Sequence, residues 1–106
     1  MTNFVLAYHG AVRPGSEAEM NDMMAEWGTW FGTLGDALVD PGAPFGGVKT
    51  VSGTTVTDGV AGDPATGFSI IKADSFDAAT ELAKGCPLIK HNSVVVVYEC
   101  IPIPGL

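Results

Sequence analysis

The segment GFSIIKADSFDAATELAKGCPLIKHNSVVVVYECI, residues 67–101, predicts a strand, a helix and a second strand in succession. Residues 67–73 are rich in Ile and Phe and follow a Gly- and Pro-containing stretch, which is typical of a strand. Asp74 or Ser75 is the predicted N-cap of a helix that runs to about Lys84, where Gly and Pro stop it. A run of valines within residues 93–101 predicts the last strand.

The first third of the chain predicts another strand followed by another helix. Residues 3–9, NFVLAYH, form the strand, and Ser16 with Glu19 makes a capping box at the start of the helix. The apolar residues of this helix recur at the spacing of a helix packed on a sheet: Met20, Met23, Met24, Trp27, Trp30, Phe31 and Leu34. Close backbone packing is predicted at three glycines, Gly28, Gly32 and Gly35, and the last of these is also the predicted C-terminal stop of the helix.

The middle third is rich in Gly, Pro, Val and Thr, and its pattern is the least regular. Residues 37–39 suggest a short second strand. Residues 40–47, with two prolines and three glycines, predict a shaped loop. Residues 48–57 predict a strand or a hairpin around Ser52 and Gly53, and residues 58–66 predict a further loop.

The resulting order is β, α, β, β, α, β, which predicts an α+β fold: a ferredoxin-like βαββαβ sandwich with two helices on one face of an antiparallel sheet. Such helices cover one face, yet both faces of the strands are largely apolar. Exposure of the second face would cost several kcal/mol at roughly 25 cal/mol per Å². We therefore predict a homodimer in which a second copy covers that face. The alternative is a monomer whose long middle loop folds over the sheet.

Length and charge restrict the class of protein. The 106 residues predict a single domain over 1–106, and 46% of them are hydrophobic. The net charge of −7 disfavours nucleic acid and anionic membranes as partners.

The N-terminal residues lack a signal-peptide pattern, so we expect a cytoplasmic protein with Cys86 and Cys100 as free thiols. No phosphate-loop, dinucleotide, zinc-protease, serine-hydrolase or EF-hand motif is present, so no cofactor and no metal is predicted.

Several segments together resemble proteins of the YCII-related domain family. Residues 67–87, which end in Gly-Cys-Pro, and the strand at residues 94–99 are similar to the C-terminal half of that family. The first half agrees over residues 27–35 and 36–45, so the resemblance spans nearly the whole chain. It implies a dimeric α+β-barrel fold and a homodimer.

The same resemblance implies less about chemistry. A few relatives are dehalogenating enzymes of aromatic breakdown, and some members have a histidine in the first helix that acts with an aspartate. Trp27 stands near that position in this chain. Kinship of fold does not settle function, so the activity is not transferred to this chain.

Three residues are candidates for acid–base chemistry. His9, at the end of the first strand, is either a general base facing the cavity between sheets or a strand-end side chain bonded to backbone or water. Asp36 and Asp40 flank the short second strand and either could orient His9. Alternatively, Asp36 caps the turn after the helix and Asp40 makes an Asx turn at the following proline.

Candidate binding residues are aromatic or cationic. Trp27 and Trp30 either pack in the core or, with Phe45, line a pocket for an aromatic molecule. Lys49 and Arg13 are scarce cations in an acidic chain that either hold an anionic group or lie in solvent. Two functions follow as hypotheses: a cofactor-free enzyme or binder for a small aromatic or acidic molecule, and a non-catalytic dimerising module.

Overall fold

The computed structural model of the chain describes residues 1–10, 15–91 and 93–105. Short 3-10 turns follow the first helix at Gly35–Ala37 and precede the last strand at Pro87–His91. The strands and helices are β1 (Thr2–His9), α1 (Glu17–Leu34), β2 (Leu38–Pro44), β3 (Lys49–Ser52), β4 (Thr55–Asp58), β5 (Ala65–Ala73), α2 (Phe76–Ala83) and β6 (Val94–Glu99).

Four of the strands form one antiparallel sheet in the order β2-β5-β1-β6. Phe4 of β1 lies opposite Ile71 of β5, and Leu6 lies opposite Val97 of β6. If the β3–β4 hairpin is set aside, the order of strands and helices is that of a ferredoxin-like fold. The predicted α+β class, with two helices and an antiparallel sheet, is confirmed.

The core lies between the sheet and the helices. Phe4, Leu6 and Ile71 are fully buried on the helix side of the sheet. Trp30 and Leu34 of α1 pack against this cluster, as do two alanines of α2. Complete burial of a large apolar side chain stabilises a fold by about 1.5–3 kcal/mol, so this cluster holds the two layers together.

Polar caps begin both helices. Ser16 accepts a hydrogen bond from the Glu19 backbone N–H at 3.1 Å, whereas Glu19 Oε2 accepts from the Gly15 N–H rather than from that of Ser16. For α2 the cap is Ser75, which accepts from the Ala78 N–H at 3.0 Å. Of the two N-caps proposed from the sequence, Ser75 is therefore the one used.

The predicted loop over residues 40–47 is wrong in its first half, because Asp40–Pro44 continue β2. Two irregularities interrupt the pairing of β2 with β5. As the edge of the sheet, β2 tolerates prolines whose missing N–H has no neighbouring strand to bond. Gly42 has φ +72°, and a Cβ there would lie 1.8 Å from the Phe68 carbonyl oxygen. Only glycine allows this approach of the two backbones.

The predicted close packing at the glycines of α1 is also wrong. A Cβ at Gly28 or Gly32 would meet no other heavy atom within 4 Å, because both residues lie on the exposed side of the helix. Gly35 has equally open surroundings, but its φ of +54° ends the helix as expected. Gly35 therefore ends the helix through its backbone conformation and not through close packing.

The hairpin predicted around Ser52 and Gly53 is confirmed. β3 and β4 pair with each other, with Val51 opposite Val56, and form a separate two-stranded sheet. Gly53, with φ +61°, lies in the turn between them. Both valines are exposed, so the hairpin contributes little to the core described above.

The second face of the four-stranded sheet, here called the open face, is not covered by a helix in the described part of the chain. Successive residues of each strand point to opposite faces of the sheet. Tyr8 and Ser69 lie on the buried face, whereas the residues before and after each of them are less buried and lie on the open face. The open face is largely apolar, in agreement with the sequence pattern. Its apolar residues are Val5, Ala7, Phe68, Ile70, Val94, Val96 and Tyr98.

Cys86 and Cys100 are both free, as expected from the sequence, and Cys86 is fully buried. Within the described ranges, no helix combines the length and the apolar character that crossing a membrane requires.

Candidate functional site

A cavity of about 350 Å³ lies between α1, the centre of the sheet and the irregular strand β2. It is open to solvent on one side, and we call it the aromatic cavity. Its walls come from helix α1, strands β1, β2 and β5, and the turn before β6. The lining residues are Tyr8, Gly10, Met23, Met24, Trp27, Phe31, Pro41, Gly42, Ala43, Pro44, Thr66, Gly67, Phe68, Ser69 and Leu88.

Aromatic rings form one wall of the cavity. Trp27 meets Tyr8 edge to face at 5.1 Å between ring centroids, and Phe31 lies 5.6 Å from Trp27. Four-residue spacing places Trp27 and Phe31 on the same side of α1. Trp30 points away, toward α2, where its Nε1 donates to the Leu82 carbonyl at 3.2 Å. Of the two tryptophans, Trp27 therefore lines the cavity and Trp30 belongs to the core.

Two buried hydroxyl groups form a hydrogen-bonded chain beside these rings. Tyr8 Oη donates to Ser69 Oγ at 2.7 Å, and Ser69 Oγ donates to the Pro41 carbonyl at 2.7 Å. Ser69 is completely buried, and a buried hydroxyl without a partner would be unfavourable. The chain of bonds, here called the hydroxyl relay, therefore links β1, β5 and β2 across the base of the cavity.

Burial determines the protonation of the groups around the relay. Loss of solvation raises the pKa of Tyr8 well above its usual value, and the hydrogen bond with Ser69 offsets only part of that effect. Burial also raises the pKa of the Cys86 thiol to about 11. Both groups keep their protons at neutral pH, so Tyr8 does not act as a base there.

Asp40 shapes the edge of the cavity. Its Oδ1 accepts a hydrogen bond from the Gly42 N–H at 2.8 Å, which is the Asx turn that the sequence offered as one of its two roles. This bond fixes the bend of β2 that places Pro41 and Gly42 on the cavity wall.

The structure does not bring His9, Asp36 and Asp40 together. His9 follows Tyr8 in β1 and points to the open face, where it is half-buried. Asp36 is exposed in the 3-10 turn after α1. Among residues 1–10, 15–91 and 93–105, no carboxylate bonds to His9. A catalytic role for these three residues therefore remains a prediction without a supporting contact.

Phe45 and Lys49 are not among the residues that line the cavity. Phe45 stacks on Phe68 with 5.8 Å between ring centroids and is half-exposed. Lys49 lies in the exposed hairpin, where its Nζ is 3.3 Å from Asp58 Oδ1. Arg13 lies outside the described residues.

Tyr8 and Ser69 were not identified as site residues from the sequence, although a signal was present. In strand β5 the buried face reads Gly67, Ser69, Ile71 and Ala73, so a serine stands among apolar or small residues. A polar side chain at such a position needs a buried partner. Tyr8 is on the buried face of the adjacent strand and supplies that partner.

A second groove, of about 380 Å³, lies on the other side of α1, against the 3-10 turn before β6. Glu26 Oε2 lies there at 3.6 Å from His91 Nε2, and Trp30 and Lys90 also line the groove. Both side chains are partly exposed, and the contact is an ion pair only when the imidazole is protonated. No group of three or more possible metal ligands occurs in the described part of the chain.

Comparison with known proteins supports the fold. The sequence matches no protein-family model and no curated protein. One similar solved structure is 5-chloro-2-hydroxyhydroquinone dehydrochlorinase (TftG) from Burkholderia phenoliruptrix AC1100, in complex with 2,5-dihydroxybenzoquinone. The identity is 20%, the TM-score is 0.56, and the match covers 95% of this chain and 94% of that one. At this identity the likeness establishes a shared α+β fold.

Proposed function

We propose that this chain binds a small, uncharged aromatic molecule in the aromatic cavity and serves as a cofactor-free enzyme or binding protein of the YCII-related type. The observation that supports it is a cavity that combines an aromatic wall with two buried hydroxyl groups. Ligand sites are commonly concave and mostly apolar, with a few polar groups that orient the ligand.

The size of the cavity fits one substituted ring. Ligand cavities usually measure about 300–1,000 Å³, and a buried apolar cavity of roughly 150 Å³ is enough for benzene. The 350 Å³ found here therefore leaves room for a ring with small substituents. Edge-to-face contact with Trp27 and Tyr8 would favour an aromatic ligand over an aliphatic one.

Charge favours a neutral ligand. The lining residues that the structure describes include no Lys, Arg, Asp or Glu, and the chain has a net charge of −7. A carboxylate in the cavity would lose its hydration without gaining a cation among these residues. Of the aromatic and acidic ligands considered from the sequence, the aromatic one is therefore preferred. The ligand in the TftG structure, a dihydroxylated six-membered ring, supports the proposed size of the ligand.

Fluorescence titration tests the proposal, because Trp27 lies in the cavity wall. We expect hydroquinone, kept reduced, to quench tryptophan emission with one site per chain, and 2,5-dihydroxybenzoate to bind at least tenfold more weakly. Trp27→Ala should weaken hydroquinone binding at least tenfold, whereas Trp30→Phe should leave it within threefold. Met24→Trp, at an exposed lining position, should block the cavity without disturbing the core. Equal affinity in all these proteins would overturn the proposal.

The proposal includes a homodimer formed through the open face. Val94 is 57% exposed at this face, where it lies in a regular strand with Val96 beside it and His9 opposite it. A second copy of the same sheet is the simplest cover, since two-fold dimers are the commonest oligomers. Sedimentation velocity provides the test: Val94→Lys should weaken the dimer. The matched control is Val56→Lys, at a hairpin valine of the same 57% exposure, which should not. A wild-type chain that sediments as a monomer contradicts this part.

The second candidate is a non-catalytic dimerising module, and the apolar open face favours it. The two functions differ in what the cavity does. A module would remain dimeric in Val56→Lys and dissociate in Val94→Lys, yet would bind neither hydroquinone nor related rings. Saturable binding that Trp27→Ala removes therefore supports the small-molecule function over the module.

A further inference from the structure

We infer that the hydroxyl relay at the base of the aromatic cavity selects ligands that donate a hydrogen bond, such as phenols, over ligands of the same size that only accept one. This inference rests on the proposed binding of a small aromatic molecule and specifies its chemical class. The observation behind it is the direction of the hydroxyl relay from Tyr8 through Ser69 to Pro41.

The relay has one possible direction because its end is a carbonyl. The Pro41 oxygen has no proton, so at 2.7 Å the Ser69 hydroxyl must donate to it. A serine hydroxyl has a single proton, which this bond uses. At 2.7 Å from Tyr8, Ser69 Oγ can therefore only accept, and the Tyr8 hydroxyl must donate.

The phenol oxygen of Tyr8 is then left with acceptor capacity alone. Its proton is committed to Ser69, while its lone pairs can accept from a ligand in the cavity that both residues line. A ligand O–H completes the relay, because every oxygen then has a partner. A ligand carbonyl or ether oxygen has no proton to donate to this acceptor. It could bond only if the Tyr8 hydroxyl turned its proton away from Ser69 and toward the ligand.

A third hydroxyl group that lines the cavity also donates its proton within the protein. Thr66 Oγ1 donates to the Tyr8 carbonyl at 3.2 Å, so it too has only acceptor capacity left. The hydroxyl protons of Tyr8, Ser69 and Thr66 are thus all used within the protein. Burial keeps Tyr8 protonated at neutral pH, so the direction of the relay persists under ordinary conditions.

Two isomeric ligands separate donor from acceptor. 4-Methylphenol and anisole have the same atoms, but 4-methylphenol donates a hydrogen bond and anisole only accepts. A buried acceptor left without a partner corresponds to about a tenfold or greater loss of affinity. By isothermal titration at neutral pH, we expect the wild-type chain to bind 4-methylphenol at least tenfold more tightly than anisole.

Ser69→Ala provides the decisive variant. It removes the acceptor that holds the Tyr8 proton, so Tyr8 can donate to a ligand, and the preference should fall to threefold or less. Trp27 is unchanged in this variant, so the comparison isolates the relay. Tyr8→Phe is the second variant: it should weaken 4-methylphenol about tenfold and leave anisole nearly unchanged. Thr29→Ala, outside the aromatic cavity, is the control and should keep the wild-type ratio.

The outcomes distinguish this inference from the proposed function. Equal affinity of the wild-type chain for both ligands refutes the donor preference. A tenfold ratio that persists in folded Ser69→Ala and in folded Tyr8→Phe refutes it as well. In both cases the proposed binding function stands. If neither ligand binds the folded wild-type chain, the proposed function fails and the inference fails with it.

Discussion

Replacement of Gly28 and Gly32 by alanine should stabilise the protein, which is unusual for changes inside a helix that packs on a sheet. Both glycines lie within α1, and a Cβ at either position would have no heavy atom within 4 Å. The new methyl groups therefore create no clash. Their effect comes from the backbone, because glycine loses more conformational freedom than alanine when a helix forms.

The magnitude follows from helix propensity. Alanine is favoured over glycine by about 0.8–1.0 kcal/mol per position in a helix interior, so the double variant should gain about 2 kcal/mol. An unfolding entropy of about 2.1 cal/mol/K per residue gives a shift of about 4–5 °C per kcal/mol for a chain of 106 residues. We expect Tm to rise by about 9 °C.

Urea and thermal unfolding followed by circular dichroism measure this change, at one fixed protein concentration because a dimer's Tm depends on it. Gly35→Ala is the matched control. Its surroundings are equally open, but its φ of +54° and ψ of −125° are unfavourable for alanine, so it should lose about 1–3 kcal/mol. A double variant no more stable than wild type would refute the reasoning, because the exposed side of α1 would then have to be a packed surface.

Three further outcomes follow from single contacts. Gly42→Ala should lose more than about 3 kcal/mol or fail to fold, since its Cβ would overlap the Phe68 carbonyl; expression and urea unfolding measure this. Trp30→Phe removes the donor to Leu82 and replaces the buried indole by a smaller ring, so the free energy of unfolding should fall by at least about 1 kcal/mol. Because burial raises the pKa of Cys86 from about 9 to about 11, the unfolded chain loses that proton first, and stability should fall between pH 9 and 11. Urea unfolding at several pH values measures this loss of stability, which should be smaller in Cys86→Ala. A loss between pH 9 and 11 that is the same in Cys86→Ala contradicts its assignment to Cys86.

Local sequence signals were enough for most of the secondary structure. Ser16 and Ser75 begin the helices because a serine hydroxyl satisfies a free backbone N–H within three residues, which depends on neighbours in the chain alone. Gly35 ends α1 for an equally local reason. The lack of apolar–polar alternation in β1 and β6 also predicted correctly that both faces of the sheet would be apolar.

The irregular strand β2 could not be predicted in the same way. Two prolines and a glycine in residues 40–44 have the composition of a loop. They form a strand because they lie at the edge of the sheet, where β5 supplies one set of hydrogen bonds and no strand lies on the other side. That position is a property of the folded sheet.

The site was predicted in part. Trp27 was proposed either for the core, from its place on the helix, or for an aromatic pocket beside the Gly- and Pro-rich loop, and its side chain lines the cavity. His9 was proposed either as a base facing the cavity between sheets or as a strand-end side chain, and it lies on the open face, on the opposite side of the sheet from the aromatic cavity. Sequence spacing shows that two neighbours lie on different faces, yet it does not show which face the cavity adjoins.

The chain by itself determined the two helices, strands β1, β5 and β6 and the apolar character of both sides of the sheet. All of these depend on residues a few positions apart. Only the tertiary structure brought Tyr8 and Ser69, which are 61 positions apart, within 2.7 Å and placed the Pro41 carbonyl beyond them. That meeting depends on strand order and register, which arise when distant strands pair, and it creates the polar group on which the proposed recognition depends.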